Sequence, residues 1–232
     1  MRVAIIPARG GSKRIPKKNI RIVNKLPMIA WSIKAAQDTK VFDRIFVSTD
    51  DLEIADVAVQ YGAEIPFIRP QNISDDYAST MAVIKHAVDW LLSENIPVTE
   101  VCCIYATAPT IRPSDIVKGL HALNSHPENK FSYSVAEHAA PIQRALKINR
   151  YCKLEMFYPR YVNSRSQDLA SSYFDAAQFY WGYASSWLTA NHIFLQPSSP
   201  IVVPRQFAVD IDTEDDLKHL EIIMKVMEFY TE

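Results

Sequence analysis

RVAIIPARGGSKRIPKKNI, residues 2–20, runs a short apolar segment directly into a loop holding two adjacent glycines and a dense set of cations. After Arg2 the segment is uncharged and carries Val3, Ile5 and Ile6, the pattern of a parallel strand buried on both faces. At its carboxyl end Gly10 and Gly11 permit positive φ and close backbone approach, so that amide N–H groups can converge on phosphate oxygens. Arg9, Lys13, Arg14, Lys17, Lys18 and Arg21 supply more positive charge than a solvated turn needs, and phosphate is the natural counter-charge. The loop reads as a triphosphate cradle of its own kind. No Gly-Lys-Ser/Thr occurs, which excludes a P-loop, and the glycines are adjacent with no third following, which excludes the dinucleotide fingerprint. The competing reading is a basic, solvated turn.

Working outward, residues 27–39 have helical spacing with Met28, Trp31, Ile33 and Ala35, and 44–48 is an apolar strand, completing a βαβ unit. A helix capped by Asp50 or Asp51 and ended by Gly62 follows, then a strand at 64–68. A long helix over 78–94, a strand at 100–105 and a helix over 113–125 opened by Pro113 continue the alternation. The expected fold is α/β: a doubly wound, mostly parallel, Rossmann-like nucleotidyltransferase sheet. Between about 131 and 183 helix signals fade and aromatic, β-type runs take over, which predicts an antiparallel, β-rich insertion suited to dimerisation. Strands at 201–204 and 207–210 and a helix from Thr213 to about Phe229, with Thr213 as N-cap, close the pattern. The whole of 1–232 reads as a single domain carrying that insertion.

The 232 residues are 48% hydrophobic, enough for one large core. A formal net charge of −1 argues against a nucleic-acid or membrane partner, because the basicity is confined to one loop. No apolar run approaches the roughly 18 residues of a membrane helix, and Arg9 arrives too early for a signal peptide. Cys102, Cys103 and Cys152 form neither a CxxC pair nor a disulfide framework, so a reducing cytoplasm is expected. The six histidines have no metal-ligand spacing.

In open α/β sheets ligands bind beyond the carboxyl ends of the strands, and four polar clusters follow strands here. Besides the basic loop, Ser48-Thr49-Asp50-Asp51 is explained by helix capping alone. The segment from Arg69 through Thr80 joins a cation, a rigid turn and hydroxyls at a helix start, which suits ribose or base edges as well as it suits capping by Asp76 or Ser79. In Asp210-Ile211-Asp212-Thr213, extended geometry would put both carboxylates on one side. At about 5 Å and an effective dielectric near 20 their repulsion is roughly 3 kcal/mol, which a divalent cation reverses, and Mg²⁺ accepts one or two carboxylates plus substrate phosphates. Capping by Asp212 with Asp210 solvated is the alternative. A basic loop for the triphosphate and two carboxylates for a metal together describe nucleotidyl transfer, while leaving the acceptor unnamed.

The stretches ARGGSKRIPKKN (8–19), STDD (48–51), IRP and SDDYAST (within 68–80) and DIDTEDDL (210–217) closely resemble the CMP-sialic acid synthetase family of cytidylyltransferases. Within it, RSQDLASSYFDAAQFYWG (165–182) looks most like the branch that activates pseudaminic acid with CTP. The resemblance implies that Arg9, Ser12 and Lys13 bind the triphosphate, that Lys18 stabilises the reacting α-phosphate, and that Asn19, Arg69 and Thr80 contact the nucleotide. It implies Mg²⁺ on Asp210 and Asp212, and a homodimer in which Arg165 reaches the partner's sugar-acid site. Sialate-type members carry Gln-Pro-Thr-Ser-Pro where this chain has Tyr105-Ala106-Thr107-Ala108-Pro109, and the usual lysine is replaced by Gln143. Tyr105, Gln178 and Tyr180 are thus expected at a more aromatic pocket, fitting pseudaminate, which has two acetamido groups and no terminal hydroxyl. Core or interface packing is the competing role for those aromatics. Legionaminate or sialate as acceptor, or a CTP-binding regulator without chemistry, are the rival functions.

Overall fold

The computed structural model describes residues 1–230. In chain order the elements are β1 (Arg2–Pro7), a small hairpin of β2 (Ile22–Val23) and β3 (Leu26–Pro27), α1 (Met28–Thr39), β4 (Arg44–Ser48) and α2 (Leu52–Gln60). Next come α3 (Thr80–Ser93), β5 (Glu100–Ile104), α4 (Pro113–Ser125) and β6 (Phe131–Glu137). A second hairpin, β7 (Leu146–Ile148) with β8 (Leu154–Met156), precedes β9 (Tyr173–Tyr183), α5 (Ala184–Thr189), β10 (Ser198–Val202) and α6 (Glu214–Tyr230).

Six strands form the central sheet in the order β10-β6-β9-β5-β1-β4. β4, β1 and β5 pair in parallel, β9 is antiparallel to both its neighbours, and β10 returns parallel to β6. Alternation along β1 explains why it is apolar throughout. Ala4 and Ile6 face α1, α2 and α4, with Ile29, Ile33, Ile54, Ile116 and Leu120, whereas Val3 and Ile5 face α3 and α5, with Ile84, Val88, Leu91 and Trp187. Each fully buried side chain of this kind contributes about 1.5–3 kcal/mol, which is how a two-sided sheet is held between helical layers.

Helix ends follow local chemistry. The Asp51 carboxylate accepts from Glu53 N and Ile54 N at the start of α2, and Gly62, at φ 87°, turns the chain out of it. Ser79 caps α3 by accepting from Ala82 N, and Thr213 and Asp216 cap each other's backbone at α6. A third cluster, Ile15, Val23, Met28, Ile211, Leu217, Leu220 and Met224, packs α6 against the basic loop. That contact brings the chain's two ends together at the site.

Two expected strands differ. Residues 64–68 contribute only isolated bridges, Phe46 to Glu64 and Thr49 to Ile68, because Pro66 lacks a ladder donor. Residues 207–210 begin on the last residue of a 3-10 turn (Arg205–Phe207) and pair with no strand among the described residues. The region at 131–183 is also not a separate layer: β6 and β9 are interior strands of the central sheet, and only 138–172, with the β7–β8 hairpin, departs from it.

Candidate active site

A cleft of about 610 Å³ opens beyond the carboxyl ends of β1 and β5. Arg9, Ser12, Lys13, Lys18 and Asn19 border it from the basic loop, Arg69 and Thr80 from the segment leading into α3, and Tyr105 from the end of β5. Asn19 is buried and donates from Nδ2 to the Arg9 carbonyl at 2.9 Å, tying the loop's two ends. Neither Gly10 nor Gly11 adopts the positive φ expected of it; that conformation falls on Lys17, at φ 54°. Gly10 is required for close approach instead. A Cβ there would lie 2.5 Å from Asp51 Oδ2, and its N–H donates to Asp50 Oδ1 at 3.0 Å.

The loop's cations meet acids from two directions. Arg9 donates to the Asp75 carbonyl at 2.7 Å and pairs with Asp76 at 2.8 Å, and Lys13 reaches the same carboxylate at 2.6 Å. The hydrogen bond from Lys13, followed by the charges of Lys13 and Arg9, holds the Asp76 carboxyl below its usual range. Arg14 lies 2.6 Å from Asp212 Oδ1, and Lys18 Nζ donates to the Ile211 carbonyl at 2.6 Å while standing 3.7 Å from the same Asp212 oxygen. Exposed pairs of this kind contribute little, so a polyphosphate with more charge can take over the cations.

Asp212 is half-exposed, Asp210 is exposed, and buried Ile211 between them anchors the segment. Among the described residues no group of three or more His, Cys, Asp or Glu side chains converges. Asp212 meets the cleft's edge through Arg14 and Lys18, which line it, whereas neither Asp210 nor Asp212 is itself a lining residue; a hard carboxylate there would suit Mg²⁺, which takes its remaining oxygens from substrate and water.

Arg69 is only 5% exposed. Burial lowers its pKa, and Asp50, at 3.5 Å, works against that effect. Its Nε is buried without a partner. Asp50 therefore differs from the capping role expected of it: Asp51 alone caps α2, while Asp50 joins Gly10 to Arg69. Asp76, weighed as a cap for α3, is instead the counter-ion of Arg9 and Lys13.

The Thr80 and Tyr105 hydroxyls lie 2.7 Å apart, and burial pushes the Tyr105 phenol up to about 12. Tyr180 stands behind Tyr105, ring centroids 5.4 Å apart, and donates to Asp175 Oδ2 at 2.5 Å. It does not border the cleft, being 2% exposed. Gln178 is also directed elsewhere: its Nε2 donates to the Phe207 carbonyl at 2.7 Å within the core, and its side chain is not part of the cleft. Arg165 is exposed on the excursion outside the sheet and is not brought to the cleft of its own chain.

The pairing of Arg14 with Asp212, of Asp76 with Arg9 and Lys13, and of Asp175 with Tyr180 escaped the reading of the sequence. Arg14 and Asp76 carried the signal of charge in separate loops, but only the tertiary arrangement brings them to these partners. Asp175 stands out in the sequence only as one of the residues, with Gln178, Tyr180 and Trp181, that replace the stretch usual in sialate-type members, and nothing there gives its bond to Tyr180.

A family model described as cytidylyltransferase matches residues 3–179. The chain is 45% identical over 224 residues, 97% of its length and 96% of the relative's, to a pseudaminic acid cytidylyltransferase of Campylobacter jejuni. A CMP-N,N'-diacetyllegionaminic acid synthase of Legionella pneumophila is 39% identical over 127 residues, 53% of this chain and 52% of that one. Among solved structures, a CMP:2-keto-3-deoxy-manno-octonic acid synthetase complexed with CTP superposes with a TM-score of 0.70 at 16% identity, covering 97% of this chain and 99% of that chain. At that identity the likeness speaks for the fold.

Proposed function

The chain belongs to the cytidylyltransferase family, and on that premise we propose that it joins CTP to pseudaminic acid, giving CMP-pseudaminate and pyrophosphate. The observation that carries the choice of acceptor is the full-length likeness to the Campylobacter relative, against a likeness to the legionaminate enzyme that spans about half of each chain.

In the reaction the anomeric hydroxyl of the sugar acid attacks the α-phosphorus of CTP in line with the departing pyrophosphate. Arg9, Ser12 and Lys13 hold the triphosphate, whose charge displaces Asp76 from the two cations. Lys18, fixed by the Ile211 carbonyl, presents its ammonium to the reacting phosphoryl oxygens, where charge is redistributed in the transition state. Arg69, backed by Asp50, and Asn19 meet the nucleotide. Asp210 and Asp212 would hold Mg²⁺, which when bound neutralises phosphate oxygens and orients the leaving group.

Tyr105 replaces the amide of sialate-type relatives with a phenol, which favours a less hydroxylated acceptor. We assign Arg165 to the partner's site in a homodimer formed through the 138–172 excursion, which exposes Leu146, Ile148, Leu154 and Phe157. A reducing cytoplasm suits the three free cysteines, two of them buried.

A coupled pyrophosphate-release assay with CTP and a panel of pseudaminate, legionaminate and sialate tests the assignment. Pseudaminate should give the highest kcat/KM. Preference for another acid would reassign the acceptor, and CTP binding without pyrophosphate release for any acid would make the chain a regulator.

A further inference from the structure

We propose that Gln178 and Thr110 are positioning residues for Asp210: together they grip the Phe207 carbonyl, three residues before the acid, and so fix the backbone from which Asp210 reaches a metal ion. The inference rests on the metal-binding role proposed above for that acid.

Two buried donors meet on one backbone oxygen. Gln178 Nε2 donates to the Phe207 carbonyl at 2.7 Å and Thr110 Oγ1 donates to it at 2.6 Å, with Nε2 and Oγ1 themselves 3.4 Å apart. A carbonyl oxygen has two lone pairs, so both of its acceptor places are taken. Gln178 is 3% and Thr110 2% exposed, and neither borders the cleft. Burying an amide and a hydroxyl costs free energy unless each is bonded, and here both bond to the segment that leads to the late acids. Arg112 adds a third hold, its guanidinium 5.7 Å from the centre of the Phe207 ring.

The donors stand on fixed backbone. Gln178 belongs to β9, an interior strand, and its carbonyl accepts from Tyr105 N at 2.9 Å, where the end of β5 delivers Tyr105 to the cleft. Thr110 lies in the turn between β5 and α4, closed by Ile111 N donating to the Ala108 carbonyl at 3.1 Å.

Beyond Phe207 the next firm hold is Ile211, whose side chain is buried in the third cluster and whose carbonyl accepts from Lys18 Nζ at 2.6 Å. Val209 leans half-buried on the same cluster and Asp210 is exposed, so the backbone carrying Asp210 is fixed by Phe207 on one side and by Ile211 on the other. Asp212 has holds of its own: its N–H donates to Asp216 Oδ2 at 2.9 Å and its carboxylate meets Arg14 at 2.6 Å. Loss of the grip on Phe207 is therefore felt at Asp210 and not at Asp212.

The test uses Mn²⁺ as the probe, with protein in excess over CTP and no sugar acid present, so that free Mn²⁺ read by electron paramagnetic resonance reports binding without turnover. Gln178→Met removes the amide donor at similar length, and Thr110→Val removes the hydroxyl at the same shape. Each should weaken Mn²⁺ binding to the CTP complex about three- to tenfold, the scale of one hydrogen bond, and leave CTP binding without a divalent ion within about twofold of wild type. Thr110→Ser keeps the hydroxyl and should bind Mn²⁺ as the wild type does. In an Asp210→Asn background neither Gln178→Met nor Thr110→Val should weaken Mn²⁺ binding further. Should Gln178→Met fail to fold, the Thr110 pair carries the same comparison.

Wild-type Mn²⁺ affinity in the two donor variants would overturn the proposal. So would a loss of equal size with and without the Asp210 carboxylate, or metal-free CTP binding that falls in step with Mn²⁺ binding, both of which point to general packing. An Asp210→Asn protein that binds Mn²⁺ as tightly as the wild type would remove the acid from the metal, and the proposal with it. Asp210→Asn alone thus separates failure of the metal role from failure of the grip.

Discussion

Lys18 and Asp212 face each other across the join between the chain's two ends, Nζ to Oδ1 3.7 Å, with the ammonium seated on the Ile211 carbonyl at 2.6 Å. The seat matters more than the ion pair. A lysine held by a backbone carbonyl keeps its position when Asp212 turns to another partner, so its charge is preorganised before substrate arrives.

Lys18→Ala should therefore lower kcat about a hundredfold or more, the usual effect of deleting one preorganised charge. The protein should stay folded, with a Tm lowered by about 2–4 °C for the lost hydrogen bond to Ile211. Near-normal turnover in that variant would remove Lys18 from the chemistry.

Asp210 and Asp212 should not respond alike. Asp212 is already engaged by Arg14 and Lys18, whereas Asp210 is exposed. If the two acids hold Mg²⁺ as proposed, Asp212→Asn removes a ligand and also releases two cations, so both the Mg²⁺ concentration for half-maximal rate and the KM for CTP should change. Asp210→Asn should raise the Mg²⁺ requirement alone. Magnesium titrations at fixed and varied CTP separate the two, and a common response would show that the acids act as one unit.

Arg69→Met tests a trade between stability and binding. Removing a buried guanidinium relieves desolvation that Asp50, at 3.5 Å, only partly offsets, so Tm should be unchanged or higher. KM for CTP should rise about ten- to a hundredfold, the range for a hydrogen bond from a charged donor. A destabilised variant with normal CTP affinity would make Arg69 a structural residue.

The order of strands and helices was legible because alternation in β1 and helical spacing in α1, α3 and α4 are local signals that burial on two faces reinforces. The basic loop was legible from its cations after β1 and the late acids from their charge alone, since the strand expected before them does not form. The insertion of β9 between β5 and β6 was not, since nothing in an aromatic strand states which edges it will join. The same gap explains Gln178 and Tyr180. Their residue types suit a pocket, but the bulge at Ala177 directs one into the core and the other onto Asp175, and a bulge leaves no pattern in the sequence.

His86 provides a pH signature. Burial lowers its pKa below 6.5, with Arg69 acting in the same sense and Asp89 opposing; its Nδ1 has no partner, and its ring meets Phe67 edge-on at 4.6 Å. The unfolded chain thus binds this proton more readily than the folded one. The stability His86 allows is complete above about 6.5 and is lost as pH falls from there toward its lowered folded value. Thermal melts of the wild type should show Tm dropping between pH 7 and 5.5, and His86→Leu should flatten that drop. An equal slope in both proteins would assign the dependence to other groups.

Arg165 is the sharpest test of shared sites, because it is exposed on the excursion and absent from the cleft of its own chain. If it serves a partner's site, then Arg165→Ala and Lys18→Ala damage different chains of each composite site. Mixed after dissociation, the two inactive variants form heterodimers in which one site combines both lesions and the other is intact. Statistical pairing makes half of all dimers mixed, so activity should return to about a quarter of the wild-type value. The mixture would stay inactive if Arg165 served its own chain's cleft, since every site would then carry one lesion. Light scattering on the same samples must report a dimer, and a monomer would refute the shared site outright.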